Sequence, residues 1–242
     1  MEERNILLVN DDGIAAEGLE ILARLAAPFG ALWVAAPESQ CSAMSQRITI
    51  FEDLVIRPAA FPVPVRGAWS VRGTPADCVK AALSCLLPVR PDLVLSGINN
   101  GWNTGFDIAY SGTVGAAMEA LMQGVPAIAL SNAYRGSFAV LERELPGVLE
   151  ELLRREREQN AIWNVNFPGC EPESFRGVLW DCGVAPTQLY LDRFEPAETG
   201  DGTLSLRNRG SLAEVTRAPE GTDVRAVLDG RISVGKVRSM VL

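Results

Sequence analysis

Histidine is absent from all 242 residues. That absence removes a Ser-His-Asp triad, a Cys-His pair, an HExxH zinc site and any imidazole general base. Chemistry in this chain must run on carboxylates, hydroxyls, amides, backbone groups and metal. Lysine is nearly as scarce: only Lys80 and Lys236 occur, and neither lies in a GxxxxGK[ST] run, so a P-loop is excluded. No GxGxxG fingerprint is present either. Basic residues number 22 against 30 acidic ones, a net charge of −8. Such a surface repels nucleic acid and anionic lipid, and neither is expected as a partner, whereas a small phosphorylated ligand in a local cleft stays compatible. The five cysteines (Cys41, Cys78, Cys85, Cys170 and Cys182) are odd in number and form no CxxC pair. They read as small buried hydrophobes in a reducing compartment, not as a disulfide framework or a thiolate zinc site. No apolar run reaches membrane-spanning length, and the charged start runs straight into a strand-like segment without a signal peptide's apolar stretch. A cytoplasmic protein is expected.

What the chain does contain is an alternation of strand-like and helix-like segments through its first three quarters. Ile6 to Val9 is a short apolar run, as a parallel strand buried on both faces requires. Leu19, Leu22 and Leu25 then recur at helical spacing, and Ala31 to Ala36 is a second strand. Residues 48–71 are β-rich pieces broken by Pro58, Pro62, Pro64 and Gly67, which predicts an antiparallel excursion. Thr74-Pro75-Ala76-Asp77 has the form of a capped helix start. Further strands are expected at 92–96, 126–131, 162–167 and 178–180, with helices over 113–123 and around Leu141 to Leu152. The fold class is therefore α/β: a Rossmann-like, doubly wound sheet whose ligands bind beyond the carboxyl ends of its strands. Residues 1–184 are read as the catalytic core. Residues 185–242, with the turn signal Gly200-Asp201-Gly202, are read as a C-terminal β-rich arm and oligomerisation segment.

Four places can carry chemistry. Asn10-Asp11-Asp12-Gly13 closes the first strand. Its plain reading is a helix-capping turn. Yet adjacent carboxylates repel unless a proton or cation intervenes, and hard oxygen donors at a strand end suit Mg²⁺ or Mn²⁺. The loop Glu38 to Ala43 emerges at the same sheet edge, where the Ser42 hydroxyl can complete a metal shell. The glycine- and asparagine-rich stretch from Gly97 to Gly112 is too long for filler in a compact domain. It is no EF-hand, because the twelfth position from Asn99 is Tyr110. Ser111-Gly112-Thr113 opens a helix, either as an ordinary cap or as a phosphate cradle of N–H groups and hydroxyls.

NDDG, APES followed by Ser42, GTPADCV, SGINNGWNTG and YSGTVGAAMEA occur here in the order and spacing of the SurE survival-protein family, which the first 184 residues resemble. The resemblance implies a metal-dependent phosphomonoesterase acting on nucleoside monophosphates at the 5′ or 3′ position, with short polyphosphate as a further substrate. It implies one divalent cation per subunit, Mg²⁺ or Mn²⁺, on Asp11, Asp12, Ser42 and Asn99; with no histidine in the chain, Asp11 or Asp12 is expected as the catalytic base. Asn103, Ser111, Gly112 and Thr113 would surround the phosphate. It further implies a homodimer or homotetramer, expected to assemble through the arm. Two departures stand out. The family's Asp-Arg-Asn-x-Ser-Gly run is replaced by Glu38-Ser39-Gln40-Cys41-Ser42-Ala43, and its terminal Ser-x-Thr-Pro-Leu by Ser233-Val234-Gly235-Lys236-Val237. The first is expected to alter substrate preference or rate. It keeps two rivals open: a non-catalytic nucleotide-binding protein, and a phosphohydrolase preferring polyphosphate or sugar phosphates.

Overall fold

The computed structural model describes residues 3–197, 203–212 and 218–241. Its first half builds β1 (Asn5–Val9), α1 (Glu17–Ala26), β2 (Ala31–Pro37), β3 (Val55–Pro58), β4 (Gly67–Arg72), α2 (Pro75–Ala81) and β5 (Leu93–Asn100). The second continues with α3 (Gly112–Met122), β6 (Ala127–Asn132), α4 (Ala139–Arg154), β7 (Ala161–Phe167) and β8 (Val178–Cys182). Then follow the short strands β9 (Tyr190–Leu191), β10 (Phe194–Ala197), β11 (Ser205–Asn208) and β12 (Ser211–Leu212), and finally α5 (Asp223–Leu228) and β13 (Ile232–Arg238).

Nine strands form one sheet in the order β3-β4-β2-β1-β5-β6-β7-β13-β8. From β4 to β7 all neighbours are parallel. The apolar run of β1 shows why its two faces are both covered. Ile6 and Leu8 join the core formed with Leu19 and Leu22 of α1 and Leu141 and Leu145 of α4. Leu7 and Val9 point the other way, into the core formed with Cys78 and Val79 of α2 and Val114 and Ala117 of α3. Period-two alternation thus sorts one strand between two helical layers. The chain steps outward from β1 to β2 and β4, then returns to place β5 on β1's other side. That reversal is the switch point of the sheet, where a crevice opens between the diverging loops.

The Thr74 start is a complete capping box: Asp77 N–H donates to Thr74 Oγ at 3.2 Å, and Thr74 N–H to Asp77 Oδ2 at 2.9 Å. Asp77 also accepts the N–H and hydroxyl of Thr49, at 2.9 and 2.7 Å, and so pins the loop that precedes β3.

Three expectations need correction. The proline-broken stretch 48–71 is only partly an antiparallel excursion: β3 pairs antiparallel with β4, but β4 enters the main sheet parallel to β2. The prolines and Gly67 sit outside the ladder interior or at its ends, so they delimit β4 without excluding it. The loop expected from Gly97 onward is largely structured, because β5 extends to Asn100 and a 3₁₀ turn covers Gly105–Tyr110. Third, residues 185–242 are not all arm. A nested hairpin does project, β9 pairing with β12 and β10 with β11, while its expected turn at Gly200-Asp201-Gly202 lies outside the described residues. But β13 returns to the central sheet, antiparallel to β7 and parallel to β8, with Ile232 and Val234 fully buried. The alternation in Ile232-Ser233-Val234 is that of a strand with a core to join, so the boundary at 184/185 does not separate two packing units.

Candidate active site

Asp11, Ser42, Asn99, Asn103 and Ser111 line one cleft of about 430 Å³ at the carboxyl edge of the sheet, over the switch point. Each arrives on a different element. Asp11 and Asp12 end β1 in a turn closed by Asn10, whose side chain donates to Gly13 O at 2.8 Å and accepts from Gly13 N–H at 3.2 Å. Gly13 has φ 102°, a conformation that favours glycine. The Cys41 N–H donates to Asp11 O at 2.7 Å and ties the Ser42 loop to β1.

Asp11 is only 3% exposed. Its Oδ1 accepts the Thr113 hydroxyl at 2.6 Å, and its carboxylate also takes the Thr113 N–H. Burial nonetheless lifts its pKa from 3.8 to about 6; the Thr113 hydroxyl opposes that rise and the charge of Asp12 adds to it. Asp12 lies half-buried beside it, its Oδ2 accepting Asn100 N–H at 3.0 Å and its Oδ1 facing the Gln40 amide at 3.4 Å. Asp12 and Gln40 look into a neighbouring cleft of about 600 Å³ that also contains Arg135, so the two carboxylates stand on either side of one partition. Asn99 donates its amide to Gly101 O at 2.8 Å, which leaves Oδ1 as its group able to face a cation.

The phosphate-side residues are held as firmly. Ser111 caps α3, its Oγ accepting Val114 N–H at 3.0 Å. Gly112 takes the first helical position, where the N–H has no intrahelical partner. A Cβ built on Gly112 would stand 3.0 Å from Asp11 Cβ and 3.1 Å from Asp11 Oδ2. Glycine is therefore what allows the helix end to approach the carboxylate. Gly112 and Thr113 are both buried and lie outside the cleft lining, and the Thr113 hydroxyl is committed to Asp11.

Sequence reasoning missed the supports of Asn103. The Asn103 N–H donates to Asn166 Oδ1 at 2.8 Å, and Asn103 O accepts the amides of Asn164 and Asn166 at 2.8 and 3.2 Å. The Asn103 side chain in turn donates to Ser131 Oγ at 2.8 Å. Asn164 and Asn166 lie two apart on one face of β7, opposite Ala129 and Ser131 of β6. Two asparagines at period two inside an apolar strand were the available signal. Asp107 was missed as well: its Oδ2 accepts the N–H groups of Leu189 and Tyr190 at 3.1 and 3.0 Å, fastening the root of the hairpin beside the cleft.

The donor set fits a hard divalent cation. It offers the Asp11 carboxylate, the Asn99 amide oxygen and the Ser42 hydroxyl in one cleft, with the Asp12 carboxylate adjacent. Burial raises the Asp11 pKa in spite of the Thr113 hydroxyl, a strain that a bound cation relieves. Among the described residues no group of three or more Cys, Asp or Glu side chains forms an alternative metal centre. An apolar cavity of about 440 Å³ opens at the opposite edge, between the starts of β5, β6 and β7. Its Lys236 and Glu158 are ion-paired to each other at 2.7 Å, and it brings together no comparable oxygen set.

Sheet order, switch-point cleft and oxygen-rich floor together define a doubly wound α/β protein with a polar cleft at the carboxyl edge of its sheet. The family model for the survival protein SurE matches residues 6–186, and the chain belongs to that family. It is 39% identical over 224 residues to a Clostridium botulinum (strain Loch Maree / Type A3) protein named 5′-nucleotidase SurE, covering 91% of this chain and 87% of the relative. A Chlamydia caviae protein named 5′-nucleotidase SurE 2 is 42% identical over 205 residues, covering 77% and 71%. The crystal structure of the SurE protein from Aquifex aeolicus superposes with a TM-score of 0.81 at 32% identity, covering 98% of this chain and 94% of that one.

Proposed function

We propose that this chain is a metal-dependent phosphomonoesterase that hydrolyses nucleoside monophosphates. The observation that carries the reading is the buried Asp11 carboxylate, held by Thr113 directly against the glycine-opened N-terminus of α3. The names of its SurE relatives, 5′-nucleotidase, supply the reaction class. Asp11, Asp12, Ser42 and Asn99 would hold one Mg²⁺ or Mn²⁺, which when bound supplies positive charge to phosphoryl oxygens and lowers the pKa of water.

The remaining work falls to the chain's own groups. The Gly112 N–H and the end of α3 stabilise negative charge on the phosphoryl oxygens. Asn103, immobilised through its backbone by Asn164 and Asn166, orients the ester. With no imidazole in the sequence, Asp11 and Asp12 are the carboxylates at hand to accept a proton from the attacking water. Assembly through the hairpin arm and a cytoplasmic location belong to the same reading. Among the described residues no helix is long and apolar enough to cross a membrane.

The test is phosphate release from nucleoside 5′- and 3′-monophosphates, ribose 5-phosphate and tripolyphosphate, in Mn²⁺, in Mg²⁺ and after EDTA. Metal-dependent release, fastest from a nucleoside monophosphate, is expected. Folded protein that is stabilised by nucleotide yet releases no phosphate in any well would replace the reading with a binding protein. Faster release from tripolyphosphate would move the substrate class.

A further inference from the structure

Tyr110 and Tyr190 both line the cleft that holds Asp11 and Ser111, and they stay 58% and 43% exposed there. An exposed aromatic ring is ordinary by itself. Tyr190 differs in being fixed from two sides. Its backbone N–H is bonded to Asp107 Oδ2 at 3.0 Å, and its ring packs against Gly210, between β11 and β12. A Cβ built on Gly210 would stand 2.8 Å from both Cε1 and Cζ of Tyr190, so any larger residue there would push the ring away. Tyr110 ends the 3₁₀ turn that also carries Asp107, one residue before the Ser111 cap of α3, and its carbonyl accepts Ser45 N–H at 2.9 Å. Two planar apolar faces are thus offered, on anchored backbone, to a ligand whose phosphate lies at Ser111 and Gly112.

The charge around those rings selects among phosphorylated ligands. Asp107 and Asp192 belong to the same cleft lining, and the Arg193 N–H and Gly210 N–H are already taken by Asn208 Oδ1, at 3.2 and 2.8 Å. Among the described residues no lysine or arginine side chain belongs to that lining. A second or third phosphate extended toward the hairpin would meet the carboxylates of Asp107 and Asp192. A neutral planar group would meet the rings. The cleft's volume of about 430 Å³ lies within the usual range for a bound small molecule, roughly 300–1,000 Å³.

We infer that Tyr110 and Tyr190 form the nucleobase subsite of this enzyme, the hairpin ring of Tyr190 stacking on the base while the phosphate occupies the end of α3. The inference rests on the phosphomonoesterase reading and adds to it the element that separates a nucleotide from a sugar phosphate or a polyphosphate. Asp107 is a positioning residue here, acting through the Tyr190 backbone.

The experiment compares AMP with ribose 5-phosphate, which shares the phosphate and sugar and lacks the base, in wild type, Tyr190→Ala and Tyr190→Phe. Base–aromatic stacking is worth about 1–3 kcal/mol per base, so the ratio of kcat/KM for AMP over ribose 5-phosphate should fall roughly 5- to 150-fold in Tyr190→Ala. The loss should sit in KM, and Tyr190→Phe should restore the ratio. An unchanged ratio in Tyr190→Ala, or a ratio near one in wild type, overturns the subsite while leaving the phosphatase intact. Should wild type release phosphate from neither compound, the phosphatase reading fails separately. AMP binding by calorimetry then decides the subsite, with weakened binding in Tyr190→Ala supporting it and equal binding refuting it.

Discussion

Asp11 and Asn103 on the floor of the cleft, and Thr113 behind Asp11, are each no more than 5% exposed, and each is bonded to a neighbouring element. Ser42, Ala43 and Tyr190 on its rim are exposed and stand on a loop and a projecting hairpin. The same cavity is thus bounded below by groups the sheet cannot release and above by groups attached at a few points. Charge developing at a phosphoryl group calls for donors that do not reorganise, and a floor bonded to β1, β6 and β7 supplies them. Discrimination among substrates needs only a few kcal/mol of contact, which a rim can supply and vary without disturbing the sheet. One of the two departures from the SurE pattern, Glu38 to Ala43, reaches the cleft through the rim residues Ser42 and Ala43, while the other lies away from the cleft in β13.

The comparison breaks most decisively if a floor residue proves dispensable. Asp11→Asn should lower kcat by about a thousandfold, the scale of a lost general base and cation ligand. The same variant should be more stable than wild type when metal is removed, because the buried charge is what strains the metal-free floor. The sign follows from the raised pKa. Below pH 4 the carboxyl is protonated whether the chain is folded or unfolded, and its stability contribution is intact. Between pH 4 and 6 the unfolded chain ionises while burial holds the folded group near 6, so metal-free stability falls as pH rises, by about 3 kcal/mol. In EDTA the Tm of Asp11→Asn should exceed that of wild type at pH 7.5, and the gap should close toward pH 4. A variant that keeps a tenth of wild-type turnover, or a gap that widens in acid, would place Asp11 outside the working site.

Asn166→Ala is the next largest expected effect. It removes one acceptor and one donor from the Asn103 backbone, leaving a buried N–H unpaired at a cost of about 1–3 kcal/mol in stability. If the floor works by immobility, kcat should drop about ten- to hundredfold through misplacement of Asn103, with KM moving less. Asn166→Asp keeps the acceptor for Asn103 N–H and should recover part of kcat. Loss of stability with kcat untouched would show that Asn166 serves packing alone.

How far these regions were legible in the sequence differs in the same way. The Asp11-Asp12 turn, the Thr74 cap and the switch between β1 and β5 are local signals: carboxylates after an apolar run, a Thr-Pro-x-Asp tetrad, alternating elements. Asn164 and Asn166 could not be assigned a role, because the group they hold is more than sixty residues away in sequence, and only the β6–β7 pairing brings Asn103 over them. The return of β13 was hidden for a related reason. Its pattern fits an arm strand as well as a sheet strand, and only the vacant edge of β7 decides between them. The family resemblance implies Thr113 beside the phosphate, but a shared motif does not show which carboxylate already holds its hydroxyl.

The smallest effect tests whether the rim is as adaptable as the contrast requires. Ala43 occupies the place where the SurE pattern has glycine, and its φ is 56°, in the left-handed region. Holding alanine there costs about 1–2 kcal/mol relative to the right-handed region. Glycine would relieve that cost, but it loses more freedom on folding, by roughly 0.5–1 kcal/mol. The relief outweighs the lost freedom, so Ala43→Gly should stabilise the protein by about 0.5–1 kcal/mol, a rise in Tm of roughly 1–4 °C for a chain of this size. Because Ser42 is the adjacent residue and the loop is tied to β1 through Cys41 N–H, that relief should leave the Ser42 backbone where it is. The metal concentration for half-maximal activity should then change by less than about threefold, a shift worth well under 1 kcal/mol. A lower Tm would mean that the loop does not hold residue 43 in the left-handed region. An unchanged Tm with a tenfold shift in metal requirement would mean that the rim positions the cation as tightly as the floor does, and the division between the two would fail.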